Sequence, residues 1–301
     1  MKKYNNTKDG VFDLRLGDST KSFKRITEKY NMVFADPPYF LSSGGQTIQS
    51  GKIVSVNKGE WDKTNGPDFM HKFNLKWLTN VRDVMEDNGT IWISGTMHNI
   101  FNIAKLLNEL EFKVLNVITW QKTNPPPNFA CRSFTHSTEV IIWARKEMKV
   151  AHFYNYALMK KLNGNKQMKD VWAMPAIARW EKTNGKHPTQ KPLSVLTRII
   201  LASTKPGNKI LDPFTGGSTT GIAANLLGRK FTGIDSNLEF LKLSEMRAKE
   251  IETPGVKEEF LKKINGFEHK EQLTNYLNIE SQLEFNNTGK LIGGTEILSE
   301  V

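Results

Sequence analysis

A chain of 301 residues with 38% hydrophobic and 24% charged side chains, seven Trp and seventeen Phe has the composition of a folded globular enzyme, not of a disordered segment. A single cysteine, Cys131, excludes a disulfide framework, no apolar run reaches the roughly 18 residues of a membrane span, and Met1–Asn6 is too polar for a secretory core, so a reducing cytoplasm is the expected setting. The net charge of +11 is uneven, −4 over residues 251–301 and +15 over 1–250, which favours a polyanionic partner but also fits a solubilising surface.

The predicted elements follow an α/β rhythm. A strand over Val11–Leu16 leads into Gly17-Asp18, and a second over Met32–Ala35 ends at Asp36-Pro37-Pro38-Tyr39. Such a corner lies where open α/β sheets place their ligands. Two prolines fix φ and offer carbonyls without N–H donors, so the corner is rigid and rich in acceptors. An aromatic amine carries two N–H groups and a lone pair delocalised into its ring. Accepting both hydrogens, one on Asp36 and one on a proline carbonyl, would return that lone pair to nitrogen, and Tyr39 would give a flipped-out base a π platform. Alone, the four residues also fit, less well, a strand that ends in a proline turn.

Residues 41–66 are polar and glycine-bearing and read as a long mobile loop, with Lys52, Lys58 and Lys63 available to phosphate if it closes over a base. Apolar spacing of three to four predicts helices over Asp68–Met85 and Ile100–Leu110, among strands at Thr90–Ser94, Val114–Trp120 and Val140–Ala144. A stiff stretch, Trp120–Asn128, with three consecutive prolines, precedes Phe134-Thr135-His136-Ser137. Cys131 does not follow a proline in an active-site loop and reads as a structural or incidental thiol. The six histidines are scattered, and no metal is expected.

Residues 145–191 hold eleven Lys or Arg against three acids, interleaved with Phe153, Tyr154, Tyr156, Trp172 and Trp180. Cations that follow phosphates beside rings that stack on bases would suit a nucleic-acid face. The plainer alternative is a solvated basic face over core aromatics. The candidate contacts are Arg145, Lys149, Lys160, Lys161, Lys166, Lys169, Trp172 and Arg179, with Lys52 and Lys58 from the earlier loop.

A helix over Leu193–Ser203 precedes a strand, Lys209–Leu211, that runs into Asp212-Pro213-Phe214-Thr215-Gly216-Gly217-Ser218-Thr219-Thr220. Two glycines let backbone approach a ligand, and the predicted helix Thr219–Leu227 offers free N–H groups. The next strand, Phe231–Ile234, delivers Asp235, 23 residues after Asp212, close to the spacing at which a carboxylate grips ribose hydroxyls. Ile222 stands where a phosphate loop needs lysine, so a nucleoside without a triphosphate fits better. Beyond about Thr253 the tail reads as a small helical appendage, Val256–Ile264 and Lys270–Tyr276. The whole predicts an open, mostly parallel seven-stranded sheet with helices on both faces.

Asp36-Pro37-Pro38-Tyr39, then Lys186-His187-Pro188-Thr189-Gln190-Lys191-Pro192, then the Asp212–Thr220 turn together resemble the beta class of DNA amino-methyltransferases, whose catalytic motif precedes the cofactor motif. The likeness covers about residues 11–250. It implies a Rossmann-like methyltransferase fold with permuted motif order and S-adenosylmethionine as cofactor. The cofactor residues it implies are Asp18, Asp36, Thr189, Lys191, Asp212, Phe214, Thr215, Gly216, Gly217, Ser218, Thr219 and Asp235. Among these, Asp18 would meet the adenine ring, Asp235 the ribose, and Thr189 with Lys191 the methionine end. Ser218 departs from the pattern, which has glycine there, and as a helix N-cap it is expected to preserve binding.

An aspartate before Pro-Pro-Tyr accompanies adenine in the resembled class, and a serine accompanies cytosine N4. Trp120–Asn128 together with Phe134-Thr135-His136-Ser137 resembles the second methyltransferase of some GATC-specific restriction systems, so GATC is the expected target. The implied division is 11–144 for the catalytic half, 145–185 for target recognition, 186–250 for the cofactor half and 251–301 for an extension of unread role. Direct in-line transfer is expected, with catalytic roles for Asp36, Pro37, Pro38 and Tyr39. Expected partners are DNA, a second copy of the chain, and a cognate endonuclease that is not a stable subunit; no membrane is expected. The rivals are cytosine-N4 methylation, an RNA or protein-glutamine substrate, and a catalytically silent DNA-binding relative.

Overall fold

The structure, a computed structural model, describes residues 1–6, 11–21, 23–24, 26–40, 46–49, 52–55, 66–128, 131–185, 189–264, 267, 273, 275–277, 280, 284–285 and 290–293. Strands β1 (Lys2–Asn6), β2 (Phe12–Leu16) and β3 (Tyr30–Ala35) come first, followed by a small hairpin of β4 (Gln46–Gln49) and β5 (Lys52–Ser55). Helix α1 (Pro67–Val84), strand β6 (Met85–Gly95), helix α2 (Ile100–Glu109) and the long arms β7 (Lys113–Lys122) and β8 (Thr138–Arg145) follow. Then come α3 (Tyr156–Leu162), β9 (Val171–Met174), α4 (Leu193–Ser203), β10 (Lys209–Asp212), α5 (Thr219–Leu226) and β11 (Lys230–Asp235). The chain closes with α6 (Leu238–Glu252), α7 (Val256–Lys263) and the paired strands β12 (Glu284–Phe285) and β13 (Leu291–Gly293).

The main sheet runs β1-β2-β11-β10-β3-β6-β8-β7-β9. All seven predicted strands lie side by side within it, and β1 and β9 add one strand at each edge, making nine instead of seven. Neither edge carries a strong strand signal. Lys2-Lys3-Tyr4-Asn5-Asn6 is nearly all polar, as suits a solvent edge, and β9 is four residues inside the basic segment. The block from β2 through β11, β10 and β3 to β6 is parallel, and β8 pairs antiparallel with both β6 and β7.

The sheet is covered on both faces, as buried strands require. Met32 and Phe34 point into one core and Val33 and Ala35 into the other, the two-residue alternation of a strand. Helices α1 and α2 fill the second face with Trp77, Leu78, Val81, Ile103 and Leu106. The first face takes side chains from α3 to α6, and every residue of α4 is buried. Trp92 and Trp143 are register partners across β6 and β8, and their rings stack at 4.6 Å.

One expectation changes. Residues 41–66 are not one structureless loop, since 46–49 and 52–55 pair antiparallel as β4 and β5, and Lys52 opens β5. Lys58 and Lys63 lie outside the described residues. The tail, read as a small helical appendage, does contain helix α7, and two of its described residues meet the core: Arg229, fully buried, pairs with Glu280 at 2.6 Å, and Asn155 donates to Tyr276 Oη at 2.6 Å.

At the β10–β3 pair the chain connections lead away to opposite sides of the sheet. From β3 the chain passes through α1 to β6 on one side, and from β10 it passes through α5 to β11 on the other. Strands β10 and β3 are parallel neighbours, with Ile210 opposite Met32 and Leu211 opposite Val33. The crevice beyond their carboxyl ends is therefore a topological switch point, the usual ligand position in such sheets.

Candidate active site

Because β3 ends in Asp36-Pro37-Pro38-Tyr39 and β10 ends in Asp212, sheet pairing delivers the two motifs side by side. Both line a single cavity of about 560 Å³, together with the Gly17–Thr20 turn after β2 and the Thr189–Lys191 segment before α4. Asp18, Asp36, Thr189, Lys191, Asp212, Phe214, Thr215, Gly216, Gly217, Thr219 and Asp235 all face it. Pro38 lines it as well, whereas Pro37 and Tyr39 are buried behind it.

At the proline corner, Asp36 is held by both oxygens. Oδ1 accepts from Tyr39 Oη at 2.6 Å and Oδ2 from Lys191 Nζ at 2.5 Å. Lys191 also donates to Tyr39 Oη at 3.0 Å and lies 3.5 Å from Glu139 Oε2, while Glu139 Oε1 pairs with Lys122 at 2.6 Å. Two ammonium groups thus neutralise two carboxylates, and Ser94 Oγ closes the set 3.2 Å from Tyr39 Oη.

Burial raises the Asp36 carboxyl above its usual value, although Lys191 pulls it back. Burial disfavours charge on Lys191, but Asp36, Tyr39 and Glu139 overcome it and hold the ammonium well above its ordinary range. Burial pushes up Glu139 as well, yet Lys191 and Lys122 outweigh it and keep that carboxylate below the usual range. Burial and the Asp36 charge drive Tyr39 well above a normal phenol, so it stays a donor.

Lys191 lines the cavity, and it is in addition the cation paired with Asp36. Glu139 and Ser94 carried no motif signal, being single polar residues at a strand end and within an apolar strand, and Lys122, although inside the Trp120–Asn128 stretch, was given no role there. Tyr39 is 6% exposed and bonded inward, so its ring is not an open platform in this state.

The glycine corner is built differently. Asp212 caps its own turn, accepting from Phe214 N at 3.0 Å and Thr220 Oγ1 at 2.6 Å. Asp235 accepts from Gly216 N at 2.9 Å and Asn237 N at 2.8 Å, and Asp18 from Thr20 N at 2.9 Å. Helix α6, which no sequence signal marked, braces the loop from behind. Ser244 Oγ donates to Gly216 O at 2.7 Å, and the Arg247 guanidinium donates to Gly217 O and to Thr219 Oγ1.

Ser218 corrects the capping expectation. It occupies the N-cap of α5 with left-handed φ 52° and ψ 40°, which is why the pattern has glycine there, but its side chain does not cap. It is fully buried, outside the cavity lining, with its hydroxyl 2.7 Å from Thr215 Oγ1 and donating to Ser244 Oγ at 2.8 Å. Strain of about 1–2 kcal/mol at such a residue is offset by hydrogen bonds of similar worth.

The cavity suits a cationic nucleoside. Four carboxylates, Asp18, Asp36, Asp212 and Asp235, line it against three lysines, Lys72, Lys76 and Lys191, of which Lys191 is paired with Asp36, and the turn itself carries no lysine for phosphate. Burial raises Asp212 to about 7, with Asp36 and Asp235 adding to the rise, so this site gains from a positive ligand. Phe214, Phe73, Phe69 and Phe40 form an aromatic wall, with Phe73 6.1 Å from Phe214 and 5.5 Å from Phe40. Phe69, Phe73, Lys72 and Lys76 all come from α1, whose helical period masked this use of its rim.

The proposed DNA residues divide. Lys149, Lys160, Lys166, Lys169 and Arg179 are exposed, whereas Arg145 and Lys161 are half-buried and Arg145 donates to Met148 O. Trp172 corrects the aromatic reading. It is 5% exposed, its ring lies 6.1 Å from that of Trp92, and Arg198 covers its face at 5.0 Å, so no face remains for a base. Lys186, His187 and Pro188 lie outside the described residues.

Comparison with known proteins gives one family. The family model N6_N4_Mtase, DNA methylase, matches residues 30–246. The chain is 54% identical over 265 residues to the Type II methyltransferase M2.MboI of Moraxella bovis, covering 88% of this chain and 97% of that protein. It is 56% identical over 225 residues to the Type II methyltransferase M2.DpnII of Streptococcus pneumoniae, covering 74% and 84%. Its fold is similar to the crystal structure of the M1.HpyAVI–SAM complex, at TM-score 0.61 and 27% identity, over 79% of this chain and 98% of that one. With its two motifs in one cleft, the chain belongs to this DNA methylase family and is an S-adenosylmethionine-dependent DNA methyltransferase.

Proposed function

We propose that this chain methylates N6 of adenine within GATC as the methyltransferase of a restriction–modification system. The observation that carries the proposal is the position of Asp36, whose carboxylate lines the cofactor cavity while Tyr39 from behind and Lys191 from the cavity wall hold it. S-adenosylmethionine, when bound, supplies an activated methyl group.

The chain's own part is to hold and prepare the amine. Asp36 and the Pro37 carbonyl accept its two N–H groups, since the Pro38 carbonyl already accepts from Asn99 Nδ2 at 3.4 Å. Positive charge that develops on nitrogen meets acceptors already in place. Asp36, as the carboxylate that accepts from the amine, is placed to take the proton the amine must lose. Lys191 and Tyr39 fix the carboxylate's direction, and Glu139 holds Lys191 with Lys122 behind it.

Lys149, Lys160, Lys166, Lys169 and Arg179 supply exposed charge for phosphates on the 145–185 segment, with the half-buried Arg145 and Lys161 beside them. A cognate endonuclease acting on the same site, a homodimer and a cytoplasmic setting complete the proposal. Among the described residues, no helix is long and apolar enough to cross a membrane.

Plasmid DNA from a methylation-free host expressing the chain, sequenced by a method that reports modified bases, tests it. N6-methyladenine at GATC is expected. N4-methylcytosine, or adenine modified at another site, overturns the corresponding part.

A further inference from the structure

The loop between β7 and β8 has no part in the cleft, yet it rises from beside it. Lys122 N donates to Ser137 O at 2.8 Å and closes the loop's neck. Just below, Lys122 pairs with Glu139, whose other oxygen lies 3.4 Å from Tyr39 Oη. The base is moored to the recognition segment, with Ala176 N donating to Asn124 Oδ1 at 2.9 Å and Thr123 N to Met174 O at 3.3 Å. Pro125, Pro126 and Pro127 stiffen the rising arm. Higher up, Asn128 Nδ2 donates to both the carbonyl and the hydroxyl of Ser133 at 2.7 Å.

Next to this cross-link stands Phe134, 97% exposed, the most exposed large hydrophobic side chain among the described residues. Arg132, Thr135 and His136 around it are exposed as well. A single exposed apolar residue needs no explanation, but this ring is presented almost bare to water on a braced, cationic loop beside the catalytic carboxylate. Extruding a base leaves a gap in the duplex stack, and apolar side chains can enter a base step while cations meet the adjoining phosphates.

We propose that Phe134 is the wedge that enters the duplex at the target step and occupies the space the adenine leaves, with Arg132 on a neighbouring phosphate. The inference rests on the DNA methyltransferase reading, and it separates two substrates. A duplex must have its stack held open, whereas a single strand has no such gap to fill.

Phe134→Ala, Phe134→Trp and wild type are compared for initial rates on a duplex and on the single strand of the same sequence. Binding-induced fluorescence of 2-aminopurine at the target position of the duplex is recorded in parallel. For Phe134→Ala, the duplex-to-single-strand rate ratio should fall by about tenfold or more, the loss of one stacking contact, and the fluorescence rise should shrink. Phe134→Trp should restore both. An unchanged ratio, whether both rates hold or both fall together, overturns the wedge, as does a wild type inactive on duplex DNA. Absence of transfer by wild type to either substrate would instead sink the methyltransferase reading itself.

Discussion

The two corners of the cleft are only one strand spacing apart, yet they are held by different physics. The proline corner is a set of charges, Asp36 and Glu139 against Lys191 and Lys122, most of them deeply buried and mutually dependent. The glycine corner is mainly backbone and hydroxyl hydrogen bonds, with Ser244 and Arg247 bracing the turn from α6. A rigid turn is suited to binding a cofactor the same way each time. A buried charge set is suited to responding when an amine arrives and loses a proton. The difference assigns binding to one corner and transfer to the other, and it can be broken experimentally.

The largest effect is expected at the proline corner. Asp36→Ala should lower the transfer rate by about 10²–10³-fold, the usual loss for one preorganised polar contact to developing charge, measured by tritium incorporation into DNA. Cofactor affinity by calorimetry should change by less than about tenfold. A wild-type rate in this variant would remove Asp36 from the chemistry.

A smaller effect separates the corners by pH. Folding raises Asp212 from 3.8 to about 7, so its neutral form is favoured in the free protein, and the stability this provides is lost as pH rises through about 7. A sulfonium ligand favours the ionised form. Affinity for S-adenosylmethionine should therefore climb as pH rises through about 7, by no more than about tenfold per unit, and Asp212→Asn should flatten that slope. A slope of equal size in the variant would show that another group titrates.

Smallest of all is the outcome at Ser218. Ser218→Gly relieves the left-handed strain and deletes the hydroxyl bonds to Thr215 and Ser244, so stability should change by less than about 1 kcal/mol in a denaturant titration. Ser218→Ala keeps the strain, loses the bonds and should cost about 1–2 kcal/mol.

The seven strands were legible because each is a short, β-branched or aromatic run between turn signals, whereas their order in the sheet was not. The edge strands were not, because an edge needs no apolar alternation and β9 is buried mainly by Trp172 and Met174 within a basic stretch. The motif residues were legible because proline and glycine fix backbone where a ligand must approach. Their support was hidden. Glu139, Lys122 and Arg247 are single charges whose meaning lies wholly in what folds against them. Trp172 marks the same limit from the other side, since composition counts an aromatic ring without saying which way it points. Within 145–185 it points inward, while the exposed ring belongs to the neighbouring loop.

A crystal structure of the protein with S-adenosylmethionine tests the shared cleft most directly. The cofactor should lie along the Phe214–Gly217 turn with its sulfonium methyl directed toward Asp36. A cofactor seated elsewhere, or with its methyl turned away from Asp36, would contradict it.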